Sequence, residues 1–154
     1  MLNPWKAING GINMAKRLIP TKLYDDLSKE LKRVGYIKTI PELKWTNNSA
    51  LYGYLKYSIR TNNLTGWSCE IYHGLYINKN ECPCTQYDFE ARPSWSKKYF
   101  EELIDTVSHE LAHMKLHEHS QEHHDLTELY KSIAWLLIEN AGGIMEYIKD
   151  CKEK

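Results

Sequence analysis

A chain of 154 residues is long enough for one domain with a real core, read here as 1–154 with 1–13 as a flexible arm. Its 20 basic and 20 acidic side chains balance, which argues against a strong non-specific nucleic-acid surface. No apolar run is long enough to span a membrane, and the first twenty residues lack the apolar stretch of a secretory signal. The expectation is an intracellular protein, cytoplasmic or nuclear.

In chain order, Gly10-Gly11 reads as part of the loose arm. Pro20-Thr21 opens a helix whose apolar positions are Leu23, Leu27, Leu31 and Val34, and Gly35 stops it. Residues 37–40 are a short strand or link ahead of Pro41. From Leu43 to Ile77 the pattern turns to strands. Residues 50–60 alternate and are rich in Tyr, Asn62-Asn63 with Gly66 reads as a turn, and 67–72 and 74–78 are strand-like with a break at His73-Gly74. These segments predict a small antiparallel sheet. Residues 79–95, with two prolines, read as a long loop that lines or covers a cleft. Ser94 or Ser96 is placed to cap a helix running to about His117. A further helix starts at Asp125 or Thr127, with Leu126, Leu129, Ile133, Leu136 and Leu137 as its apolar face and Trp135 beside it. Gly142-Gly143 interrupts it, and a short helix from Ile144 to about Cys151 follows. The fold class is therefore α+β, the sheet packed on a long central helix and further helices.

The stretch 108–124 holds six of the seven histidines. Its centre is His109-Glu110-Leu111-Ala112-His113. On a helix, residues i and i+4 share one face, so both rings can reach one Zn²⁺ at about 2.0–2.1 Å. Glu110 is turned about 100° from His109, which puts it beside such an ion rather than on it. There it can take a proton from a water whose pKa the ion has lowered. Phe100, Leu103, Ile104, Val107, Leu111 and Met114 form an apolar stripe, and its centre lies roughly 130–170° around the helix from the two histidines. One face goes into a core and the other turns the pair toward a cleft.

The third ligand is not part of that pattern. His117 continues the ladder and would sit about 12 Å along the axis from His109, too far to converge. His119 needs the helix to end after Leu116. His123 or His124 needs the same turn and a few more residues of loop, so that a ring points back from the start of the next helix. The residues leave His119 and His123/His124 open. The cysteines are Cys69, Cys82, Cys84 and Cys151. The framework is sparse for a secreted protein, and the expectation is reduced thiols. A second metal site from Cys69, Cys82, Cys84 and His73 is the lesser reading.

An HELAH motif after an apolar helix, with a further histidine downstream, resembles the SprT-like (Spartan-type) and WLM-type zinc metalloproteases, which have a minimal zincin-like domain. Trp45 in LKWTNN, Gly66-Trp67 and the strand-like run 75–78 are similar to the family's pattern ahead of its active-site helix. The resemblance covers roughly residues 40–140. In the WLM-type pattern the third histidine stands six residues after the second, as His119-Ser120 does; in the SprT-like one it stands later, where His123 or His124 fits. The chain departs from both patterns in having no aromatic after the third histidine until Tyr130, and no zinc ribbon follows. The metzincin pattern also has the His119 spacing but needs Gly where Leu116 stands. His119 is the favoured third ligand. The absence of glycine between His113 and Asp125 speaks for the wider loop to His123 or His124.

Three functions compete. The first is a zinc endopeptidase acting on protein or peptide, with one Zn²⁺ on His109, His113 and His119, Glu110 as general base, and Tyr130 or a loop residue helping at the oxyanion. The second is a non-catalytic zinc protein whose shell four histidines close. The third is a DNA-associated module, which the SprT-like resemblance implies and the charge balance does not support.

Overall fold

Residues 4–47, 52–78, 85–149 and 151 are described by the computed structural model, with the backbone alone for 4–16 and 86. The first element, α1, is a 30-residue helix from Pro4 to Arg33 with Pro20 inside it. The helix thus already runs from Pro4, and Pro20 does not open it. A proline removes one donor, and a glycine pair weakens a helix by about 1 kcal/mol per residue. Burial outweighs the proline: Ile19, Leu23, Tyr24, Leu27 and Leu31 form a fully buried stripe running past it. Val34 is exposed instead, and Gly35, at φ 91°, stops the helix. The Tyr24 hydroxyl donates to the Pro41 carbonyl and fixes where the chain goes next.

Three strands follow: β1 (Leu43–Thr46), β2 (Gly53–Asn62) and β3 (Trp67–Asn78), in the order β1-β3-β2. The β2–β3 hairpin is antiparallel, but β1 pairs with β3 in parallel, Leu43 opposite Leu75 and Trp45 opposite Ile77. The sheet is therefore mixed, not antiparallel. The apolar alternation that marks strands is the same in either direction, so it does not report the sense of a non-local pair. The central strand β3 buries Leu75 and Ile77 completely. The break expected at His73-Gly74 is a bulge inside a continuous strand: Lys56 pairs with Gly74, Tyr57 with Tyr72, and His73 is the extra residue. A bulge bends and twists its strand.

Part of the expected loop is a helix, α2 (Gln86–Ala91), opened by a capping box between Thr85 and Asp88; residues 79–84 lie outside the described residues. The central helix α3 (Pro93–Ala112) starts with Pro93 at its first turn and Arg92 at its N-cap. Neither Ser94 nor Ser96 caps it, and Ser96 is buried within it. Proline is preorganised for that first position, where its missing N–H costs nothing. Phe100, Leu103, Ile104, Val107 and Leu111 are fully buried, as their spacing predicts, with Met114 packed at the margin. The helix packs on β2 and β3 and, on its other side, on α4 (Gln121–Asn140), which α1 also contacts. The short α5 (Ile144–Ile148) closes the chain after Gly142-Gly143. Among the described residues, no helix is long and apolar enough to cross a membrane.

The first strand residue of β2 meets α3 closely. A Cβ on Gly53 would stand 2.9 Å from Thr106 Cγ2 and 2.9 Å from the Tyr76 carbonyl oxygen. Gly53→Ala should therefore cost about 1–3 kcal/mol by overpacking, lowering the thermal midpoint by about 3–10 °C. Leu64→Ala, at a residue 97% exposed, should leave it unchanged. A Gly53→Ala protein melting with the wild type would show that this approach does not constrain the fold.

Candidate metal centre

The end of α3 decides the geometry of the site. Helical structure stops at Ala112, not near His117, and residues 113–115 form a tight turn. Met114 N–H donates to the Leu111 carbonyl at 3.2 Å, and Lys115 and Leu116 donate to Ala112 at 3.1 and 3.0 Å. Among the described residues no non-glycine residue has positive φ, so the chain reverses without a left-handed residue. The next helix begins earlier than expected, at Gln121, because Ser120 caps it by accepting from the His123 N–H at 3.2 Å. His123 and His124 thus lie in the first turn of α4 rather than ahead of it.

This turn brings three rings together. The Nε2 atoms of His109, His113 and His119 stand 3.1 Å apart in each of the three pairs. Three nitrogens bound at about 2.0–2.1 Å around one tetrahedral ion would stand roughly 3.3–3.4 Å apart. Three neutral imidazoles cannot all satisfy lone pairs aimed at one point, whereas a cation there satisfies all three. The side chains present fit one ion. His113 Nδ1–H faces the Leu116 carbonyl at 3.0 Å. That fixes the tautomer and leaves the Nε2 lone pair free.

His123 is the neighbour of this set. It is 2% exposed, its ring stacks on His113 with centroids 4.0 Å apart, and with His109 and His113 it forms a group whose ligand atoms lie within 4.8 Å of one another. The three-histidine group can therefore be completed by either His119 or His123. The tighter set is the one with His119. His123 Nε2 is engaged elsewhere, at 3.0 Å from the His109 carbonyl, which also accepts from the His113 N–H at 3.3 Å. His124 is exposed. His117 Nε2 is engaged elsewhere, 2.5 Å from Glu70 Oε1.

Glu110 is 7% exposed, and its carboxylate approaches His109 Nε2 to 3.9 Å, beside the three nitrogens and not among them. Burial pushes its carboxyl up to about 7, partly offset by a hydrogen bond from the Leu55 backbone of β2. Burial and the neighbouring histidines push His109 down to about 4, and burial lowers His113 as well. Neutral rings are what a metal requires. A cleft of about 510 Å³ opens over these groups, walled by residues of β2 on one side and by Asp105, Thr106, His117 and His119 on the other.

Tyr130 is not in this cleft. It is fully buried in α4 and packs edge-on against Tyr36. The inward stripe of α4 is His123, Thr127, Tyr130, Ala134 and Ile138, while Leu129 and Leu136 of the expected apolar face are exposed. Of the cysteine site, Cys82 and Cys84 lie outside the described residues, Cys69 is a free thiol, and His73 Nε2 meets Ser58 Oγ at 2.8 Å. The sequence reading missed Leu55 and Gly53 as parts of the site, and Glu70. One signal pointed to Glu70: it is the single carboxylate between Glu42 and Glu81.

No protein-family model, curated protein or solved structure matches this chain. Its chemistry therefore rests on its own geometry.

A buried acid gives that geometry a metal-free test. Glu110 holds its proton more tightly folded, to about pH 7, than in an ordinary environment near 4.5. Its contribution to stability is full below about pH 4.5 and is lost as pH rises through about 7. Gln does not titrate. In chelator, Glu110→Gln should gain on the wild type between pH 5 and pH 8, and be the more stable protein at pH 8 by thermal melt. Acid destabilisation through His109 acts on both proteins and cancels in the difference. A difference that does not change with pH would mean that the carboxyl is solvated.

Proposed function

We propose that the protein is a zinc-dependent peptidase in which His109, His113 and His119 hold the ion and Glu110 is the general base. The observation that carries this is the convergence of three Nε2 atoms at 3.1 Å with a buried carboxylate 3.9 Å from one of them, all in one cleft. When bound, Zn²⁺ supplies Lewis-acid polarisation of the scissile carbonyl and a water of lowered pKa. Glu110 takes the proton at its carboxylate and hands it to the leaving amine. Leu55 N–H holds that carboxylate in place, and the Leu116 carbonyl orients His113.

The strand beside the cleft supports one substrate class. β2 lies at one edge of the sheet, and Tyr52, Gly53, Tyr54, Leu55 and Tyr57 line the opening. An edge strand offers unpaired backbone groups to an extended chain, so the substrate is an unfolded or flexible polypeptide segment. The SprT-like and WLM-type resemblance of the HELAH segment supports peptide hydrolysis. DNA association, which that resemblance implies, is a separate proposal that adding DNA to the same assay tests.

The competing reading is a closed four-histidine site without catalysis. It needs His123 as a fourth donor, and the bond from His123 Nε2 to the His109 carbonyl speaks against it. A buried carboxylate beside the ion also has no use in a closed shell.

Two sets of variants test the proposal. Glu110→Gln should keep zinc and fold but lose peptide hydrolysis by about 10²-fold or more. Turnover retained in the zinc-loaded variant would sink the mechanism, and a wild type inactive on every unfolded protein would favour the closed site. His109→Ala, His113→Ala and His119→Ala should each lose most of the zinc, measured by chelator competition. His123→Ala should weaken it less, through loss of support rather than of a ligand. Loss at His123 with His119→Ala unaffected would transfer the third ligand to His123.

A further inference from the structure

We propose that Glu70 is a positioning residue for His119, holding the turn 113–119 that carries it; this rests on the reading that His119 completes the metal site. The need for such a residue comes from the turn itself. Beyond Leu116, the N–H groups of His117, Glu118 and His119 make no backbone hydrogen bond among the described residues. The turn has neither glycine nor a left-handed residue to lock its path. His113 is oriented by its own bond to the Leu116 carbonyl. The His119 ring is exposed, and among the described residues it is hydrogen-bonded by nothing but the other two histidines. Its place is therefore set by the backbone beneath it.

That backbone is held by side chains of the β2–β3 hairpin. Glu70 Oε1 accepts from His117 Nε2 at 2.5 Å. Its other oxygen meets the Tyr72 hydroxyl, which also lies 2.8 Å from the Met114 carbonyl. Tyr57 stacks on the His117 ring, centroids 4.4 Å apart and planes within 18°. The single hydroxyl proton of Tyr72 serves one of these two acceptors at a time, so Glu70 reaches a point two residues short of His119 directly, through His117, and lies beside the Tyr72 hydroxyl at the start of the turn. His117 Nε2 is engaged by this contact, while its Nδ1 is buried without a hydrogen-bond partner among the described residues. Carboxylates and carbonyls that orient ligands from one step further out typically change metal affinity 10–100-fold when removed.

The test is a double-variant cycle read by Zn²⁺ dissociation constants from chelator competition on the full chain. Glu70→Ala should weaken Zn²⁺ about 10–100-fold while the metal-free melting temperature moves little. Glu70→Gln, whose amide oxygen still accepts from His117, should recover most of the affinity. In a His119→Ala background, Glu70→Ala should have no further effect, because the residue it positions is gone. An equal loss with and without His119, or wild-type affinity in Glu70→Ala, would overturn the proposal. Should Glu70→Ala not fold, Tyr72→Phe must weaken Zn²⁺ by itself, and unchanged affinity there overturns it too. Wild-type affinity in His119→Ala is a different failure: it removes the site reading on which the proposal stands.

Discussion

Three imidazole nitrogens held 3.1 Å from one another are the constraint around which the rest is arranged. Neutral rings repel when their lone pairs face a common point, so the chain must hold them against that repulsion. Two come from the end of one helix, His109 in its last turn and His113 at its C-cap, which keeps helical backbone angles and so the i, i+4 alignment. The third comes from a turn after the helix has ended. The helix can serve as a fixed platform because its opposite face is sunk in the core through Phe100, Leu103, Ile104, Val107 and Leu111. Core and site share α3, and each fixes the rotation at which the other is presented.

The same rotation accounts for Glu110. One position on from His109, it points between the histidine face and the sheet, where the first residues of β2 cover it. Gly53 lets the strand come that close, and Leu55 gives the carboxylate its backbone donor. Burial and this hydrogen bond oppose each other in setting the acidity of the group, and burial prevails. A carboxylate so enclosed is costly to keep charged, a cost that a bound dication beside it would offset.

What could be read in the sequence divides by range. The α3 stripe, the hairpin turn at Gly66 and the double-glycine break before α5 are local patterns that the structure has; the histidine pair and Glu110 are local patterns too, brought to one cleft. The misreadings concern features set by partners far away in the chain. The α4 face was assigned to leucines, yet Leu129 and Leu136 face out while His123, Thr127 and Tyr130 face in. The helix starts at Gln121, capped by Ser120, and its rotation brings His123 to the His109 carbonyl. The end of α3 carries neither Gly nor Pro to announce it, since side chains of β3 stabilise the turn in their place. The parallel pairing of β1 and the passage of α1 through Pro20 are likewise decided by burial, which no local signal reports.

The position of His123 carries the argument from ligation to chemistry. Four imidazoles crowd this corner, with ring centroids 4.0 to 5.5 Å apart, enough to close a tetrahedral shell and exclude water. The His109 carbonyl, in the last turn of α3, accepts from the His113 N–H at 3.3 Å. His123 Nε2–H is a second donor to it. The bond ties α4 to the backbone of a metal ligand while turning that nitrogen away from the ion. On the proposed reading, the open position that catalysis requires is kept by this second bond to the α3 backbone. The Ser120 cap sets where α4 begins, and so sets which nitrogen of His123 faces the carbonyl.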